Sequence, residues 1–269
     1  MQATDMQAAS SHSFAAAKPR AVFSVRKAIP SYTGPIFQLR QVFGDKVFTV
    51  IDKNGSLWTK CGQPLNDMLD HTAYMVDTWY DQSGNGNHAK QADKYIQPYL
   101  AKKKAGEFVV DFKYGRYLDI PNGTVPAASE PFSVVFKHGE ITNPIGGVLG
   151  SGVYACGDGN ANAIRRCRDK YVNYFWNNDL YTEPGSYKSG NVVSFVFSPN
   201  GKHTSGINGV PNKSRVAVQR FASPVNNTIG KTYGDNEYLN GELEFLYITE
   251  DVAKKWVSLE TGEWKEADI

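Results

Sequence analysis

A chain of 269 residues with 41% hydrophobic and 21% charged side chains can bury a large core, which excludes wholesale disorder. Its net charge of +2 leaves no electrostatic footprint for nucleic acid, because Asp169 interrupts the basic cluster Arg165, Arg166, Arg168 and Lys170. No segment is long and apolar enough for a membrane span.

The first 20 residues are rich in Ala, Ser and Gln and lack the basic start and apolar stretch of a signal peptide. They read as a flexible N-terminal arm. Strand-like runs follow at 21–25 (AVFSV), 36–43 (IFQLRQVF) and 46–52 (KVFTVID). Asn54-Gly55 is a hairpin signal, since both residues accept the positive φ angles of a tight turn. The spacing of Leu65, Met68, Leu69, Ala73 and Val76 predicts a short helix within Gln63–Asp77. Beyond WYDQSGNGNHA (79–89) come YIQPYL, EFVVDF, RYLDIP, PFSVVFKHG (131–139), GGVLGSGVYACG, YVNYFW (171–176), NVVSFVFS (191–198), a Pro-Asn-Gly turn at 199–201, HTSGINGVP, SRVAVQRF, NNTIGKTYG and GELEFLYIT (241–249). The tail reads as one short helix through Val252, Trp256 and Leu259. Many short strands, frequent turns and 13% aromatics predict an all-β sandwich of two antiparallel sheets with one or two short helices. The domain spans 21–252, with a C-terminal tail at 253–269. The three cysteines, Cys61, Cys156 and Cys167, do not have zinc spacing, and the sequence leaves open whether Cys156 and Cys167 are bonded.

Three segments resemble the concanavalin A-like lectin/glucanase superfamily in its laminin-G-like jelly-roll branch. They are WYDQSGNGNHA, VVDFKYGRYLDIP (109–121), and NVVSFVFSPNGKHTSGINGVP followed by TIGKTYGDNEYLNGELEFLYITEDV (228–252). SYTGPIFQLRQ (31–41) with TWYDQSGNGNHAKQA (78–92) resembles the start of the catalytic domain of arabinofuranosidase B. Similar jelly rolls with this motif occur in structural proteins of large DNA viruses.

Within the motif, Asp81 can accept backbone N–H groups in an Asx-turn, and Asn85 and Asn87 tolerate left-handed backbone. These three residues read first as a rigid turn. The resemblance also allows a calcium loop, although a single carboxylate is few for that ion. No metal-ligand spacing occurs elsewhere. Glycosidase chemistry needs two placed carboxyl groups. Glu242 and Glu244 alternate onto one face, but Leu246 breaks the ladder expected of the superfamily's glucanases. The vicinal cysteines implied by the arabinofuranosidase resemblance are missing, so no catalytic residue is assigned. The best binding candidate is the aromatic and amide-rich segment holding Tyr174, Trp176, Asn177, Asn178, Asp179 and Tyr181. Such rings and amides suit sugar or protein surfaces. The resemblance therefore implies a non-enzymatic structural or attachment protein, a minor capsid or other virion component that meets other subunits. The alternatives are a carbohydrate-binding module that meets a glycan and an arabinofuranosidase-type glycoside hydrolase.

Overall fold

The computed structural model describes residues 19–104, 106–126, 131–150, 163–174, 179–197, 201–216, 226–232 and 237–250, and the backbone alone of 151–152, 161–162, 255–258 and 264–267. The strands in chain order are β1 (Pro19–Ser24), β2 (Pro35–Gln41), β3 (Val47–Lys53), β4 (Ser56–Thr59), β5 (Tyr74–Trp79), β6 (Ala89–Lys90), β7 (Tyr99–Lys104), β8 (Glu107–Asp111) and β9 (Leu118–Ile120). Next come β10 (Phe132–Ile141), β11 (Ile145–Gly152), β12 (Ala161–Cys167), β13 (Lys170–Tyr174), β14 (Leu180–Tyr181), β15 (Val192–Phe197), β16 (Lys202–Ile207), β17 (Val210–Val216), β18 (Asn227–Ile229), β19 (Gly241–Thr249), β20 (Lys255–Ser258) and β21 (Trp264–Ala267).

Every pairing is antiparallel. One sheet runs β1-β19-β10-β15-β16-β17. The other runs β4-β3-β2-β5-β6-β9-β18-β11-β12-β13-β14. The hairpin β7–β8 joins them, pairing β5 on one side and β19 on the other. Alternation drives the packing. Ala21, Phe23, Val134, Phe136, Val193, Phe195, Leu246 and Ile248 line the inner face of the first sheet. Phe37, Leu39, Val76, Trp79, Leu118, Ile120, Leu149 and Ile164 line that of the second. Trp79 is fully buried, with Phe23 and Phe37 at 5.8 and 5.9 Å, and its indole N–H donates to the Ser24 carbonyl at 3.0 Å. On the reverse of the first sheet Val22, Val135, Phe245 and Tyr247 form a smaller buried cluster. The chain is thus the all-β jelly-roll sandwich expected from its alternation.

Asn54 and Gly55 sit at φ of 54° and 81° between the paired residues Lys53 and Ser56, the two-residue hairpin turn read from sequence. Three expectations change. The helix predicted within Gln63–Asp77 is only Leu65–Leu69, and Tyr74–Trp79 is strand β5. Tyr, Val, Thr and Trp suit a pleated, buried surface, and pairing with both β2 and β7 overrides the helical spacing. The C-terminal helix is instead the hairpin β20–β21, whose Trp256, Val257 and Trp264 favour strand. Of the arm expected over 1–20, Pro19 and Arg20 belong to β1; residues 1–18 lie outside the described residues. Among the described residues, no helix is long and apolar enough to cross a membrane.

Candidate functional site

The motif at 79–89 wraps the open side of β1. Asp81, 1% exposed, accepts the Val22 and Ser83 N–H groups on Oδ1 at 2.9 and 2.8 Å. Its Oδ2 accepts the Ser83 hydroxyl and the Asn87 N–H at 2.7 and 3.0 Å. The amides of Asn85 and Asn87 donate to the Arg20 carbonyl at 3.1 and 2.8 Å, and Asn85 also reaches the Pro19 carbonyl at 2.6 Å. Gln82 donates to the Ser24 and Arg26 carbonyls and accepts the Ala28 N–H. Among the described residues β1 pairs only with β19, so its far edge would otherwise present unpaired backbone groups. Polar side chains here do the work of a neighbouring strand. Gly84 and Gly86, at φ of 89° and 76°, let the loop double back. The calcium alternative fits this geometry poorly. Both Asp81 oxygens already hold two donors, and Asn85 and Asn87 turn their N–H groups, not their oxygens, toward β1. Among the described residues, no group of three or more His, Cys, Asp or Glu converges on a metal-sized site.

The aromatic segment divides. Trp176, Asn177 and Asn178 lie outside the described residues. Tyr174 and Tyr181 share the outer face of the second sheet. Tyr181 opposes Val172, two residues from Tyr174 on the same face. The Arg165 guanidinium sits 4.9 Å from the Tyr174 ring and the Lys170 amine 5.5 Å from that of Tyr181. The Asp179 carbonyl accepts from Arg215 at 2.9 Å. Tyr171 and Tyr187 turn inward instead. Tyr171 donates its hydroxyl to His138 Nε2 at 2.5 Å, the Nδ1–H of His138 points at the Gly139 carbonyl at 2.6 Å, and Tyr187 stacks on the imidazole. Cys61 and Cys167 are free thiols, and Cys156 lies outside the described residues.

Burial pushes the His138 pKa down to about 4, with the Gly139 carbonyl opposing and Arg166 adding to the shift. The unfolded chain takes up this proton near the ordinary histidine value of 6.5, well before the folded one does. Stability is therefore full above that pH and falls as pH drops toward 4, by roughly 3 kcal/mol at the lower end. Urea midpoints measured between pH 7 and 4 should show this slope, and His138→Gln should flatten it. An unchanged slope in the variant would place the acid sensitivity elsewhere.

Register lays a continuous row across the outer face of the second sheet. It runs Gln38, Thr78, Lys90, Asp119, Thr228, Gly150, Ala163, Tyr174, each opposite the next. Backbone at 231–232 and at Glu237 packs onto this face at glycines. A Cβ on Gly150 would sit 2.7 Å from Thr232 Cα, and one on Gly147 2.5 Å from the Glu237 carbonyl oxygen. Gly150→Ala is therefore expected to cost about 1–3 kcal/mol and to displace Lys231, read as a lowered urea midpoint. A midpoint equal to wild type would show that the backbone at 231–232 yields freely.

These backbone contacts at 231–232 and 237 divide the face. On one side stand Tyr174 and Arg165, the latter ion-paired with Glu237. On the other stand Lys90, Tyr117, Asp119, Lys231 and Tyr238. The Tyr117 and Tyr238 rings lie 6.4 Å apart, and the Lys231 amine is 5.0 and 5.4 Å from them. Asp119 is exposed and makes no hydrogen bond or ion pair with the described residues. Partial burial raises its pKa, and Lys231 opposes that rise. Sequence reading missed this cluster, although Tyr117 and Asp119 alternate with buried Leu118 and Ile120 in RYLDIP, the usual sign of an outward pair.

The two glutamates weighed as a catalytic ladder are separated. Glu242 opposes Asp111 and binds Lys103 at 2.6 Å, while Glu244 sits at a register shift and binds Lys137 at 2.7 Å.

No protein-family model and no curated protein matches this sequence. Solved structures do match the fold. An arabinofuranosidase complexed with arabinofuranosyl-α-1,2-xylobiose superposes with a TM-score of 0.59 at 15% identity, over 87% of this chain and 59% of that one. A GH54 α-L-arabinofuranosidase soaked with 4-nitrophenyl α-L-arabinofuranoside gives 0.57 at 16% identity, over the same shares of the two chains. The chain thus spans about three-fifths of the length of these enzymes. At such identities the likeness shows architecture alone: this chain shares an antiparallel jelly-roll β-sandwich with the matched part of these enzymes.

Proposed function

We propose that this chain is a carbohydrate-binding β-sandwich that engages glycan on the outer face of its second sheet. The observation that carries the reading is Asp119, an exposed carboxylate with no hydrogen bond or ion pair among the described residues, beside the Tyr117 ring. A carboxylate accepts paired sugar hydroxyls, and an aromatic face packs on sugar C–H groups. Tyr174 and Tyr181 extend the face beyond the backbone contacts at 231–232 and 237. The fold likeness to arabinofuranosidases solved with arabinofuranosyl ligands agrees with this reading.

Cleavage is less favoured than binding. Glycoside hydrolysis uses two carboxyl groups. On this face Asp77 is held by Arg40 and Glu237 by Arg165, which leaves Asp119 without a free partner among the described residues. The virion role implied by motif resemblance has no structural observation behind it, and the glycan reading takes its place.

The test is titration of the protein with soluble arabinoxylan, xylan, β-glucan and polygalacturonate by calorimetry. Saturable binding to at least one, weakened several-fold by Tyr117→Ala with the fold intact by circular dichroism, is the expected result. Absence of binding to all four and to a broad glycan array would overturn the reading.

A further inference from the structure

The charges on the Asp119 side of this face do not cancel. Arg40 and Asp77 form a pair at 2.7 Å, and Arg165 pairs with Glu237. Lys94, at the rim, pairs with Asp45 at 3.2 Å. What remains is Asp119 between two lysines. Lys90 is its cross-strand partner, is exposed, and makes no ion pair with the described residues. Lys231 stands over the Tyr117 and Tyr238 rings and also makes no ion pair with the described residues. Two ammonium groups thus face one carboxylate, and none of the three forms an ion pair among the described residues.

A third donor lies on the same face. The Asp81 N–H donates to His88 Nδ1 at 3.1 Å, so neutral His88 carries its proton on Nε2. His88 is two residues from Lys90 and half-buried, with its ring against Tyr80 at 4.9 Å. Burial holds it neutral by lowering its pKa.

A neutral sugar would satisfy Asp119 through its hydroxyls and leave both ammonium groups to water. A sugar that also bears a carboxylate would engage all of them. Resting on the glycan-binding reading above, we infer that this face selects a carboxylated glycan, a uronic-acid polymer or oligomer, with Lys90 and Lys231 reading the carboxylate and Asp119 the ring hydroxyls. Lys231 is placed for this by the close packing of backbone 231–232 on Gly147 and Gly150, which fixes its backbone on the sheet. The aromatic rings beneath it limit its side-chain freedom, so less entropy is lost on binding.

The experiment compares polygalacturonate and alginate with their carboxyl-reduced counterparts, which keep the chain and lose the charge. Poly-L-glutamate serves as a polyanion without sugar. The expected result is at least tenfold tighter binding to one uronate than to its reduced form, and no comparable binding to poly-L-glutamate. The double variant Lys90→Ala/Lys231→Met should lose that preference while keeping residual affinity for the reduced polymer. Equal affinity for charged and reduced polymers, or equal binding to poly-L-glutamate, would overturn the carboxylate selectivity and leave glycan binding standing. Failure to bind either polymer or any neutral glycan would instead overturn the glycan reading itself.

Discussion

Asp81→Ala is expected to destabilise the protein by about 3–5 kcal/mol, the largest single effect in the chain outside the apolar core. The carboxylate serves three backbone N–H groups and one hydroxyl, in a site that is 1% exposed. Each buried donor left without a partner costs about 1–3 kcal/mol, reduced where water can enter. The loss also releases the edge of β1, since Val22 is tied to the loop through both its N–H and its carbonyl. Asp81→Asn should recover only part of the loss. Its amide oxygen can serve Val22 and Ser83, but its NH₂ would then face the Asn87 N–H. Equilibrium urea denaturation gives both values. A loss below about 1 kcal/mol for the alanine variant would mean that the loop is not what holds β1. Because the Asp81 oxygens are taken up by protein donors, a chelator should leave the wild-type midpoint unchanged; a clear drop would restore the calcium loop.

The second large effect concerns binding. Asp119→Asn keeps the shape of the side chain and removes its charge. A hydrogen bond to an ionised group contributes about 1.5–3 kcal/mol, so affinity for the tightest glycan of the calorimetric panel should fall about 10- to 100-fold. The urea midpoint should not move, because Asp119 bonds to nothing among the described residues. The carboxylate binds in its ionised form, and burial raises its pKa. Wild-type affinity should therefore decline as pH falls, starting above the ordinary aspartate range, and the variant should lack that decline. Unchanged affinity in Asp119→Asn would remove this residue from the site.

Much of the architecture could be read directly. Apolar alternation in PFSVVFKHG marks Phe132, Val134 and Phe136 as core, and all three are buried in β10. Asn54-Gly55 and Asn208-Gly209 mark hairpins that close at those residues. These signals are local, since side-chain periodicity and turn dihedrals are properties of a few consecutive residues. Where local spacing conflicted with pairing, pairing won. Leu65–Val76 has helical spacing, yet Tyr74–Trp79 is a strand because β2 and β7 flank it.

The candidate site shows the same division. Sequence composition offered Tyr174 and Tyr181 as binding candidates without saying which way they face; the fold turns both outward, while Tyr171 and Tyr187 pack against His138. Residue type established that the chain holds aspartates, lysines and tyrosines fit for a sugar. It could not say which of those charges are spent on one another. That Asp77 meets Arg40 while Asp119 meets no cation within ion-pair reach among the described residues is set by strand register between segments far apart in sequence. Periodicity depends on neighbours along the chain and was legible in the sequence; neutralisation depends on neighbours in space, and only the tertiary structure decided it.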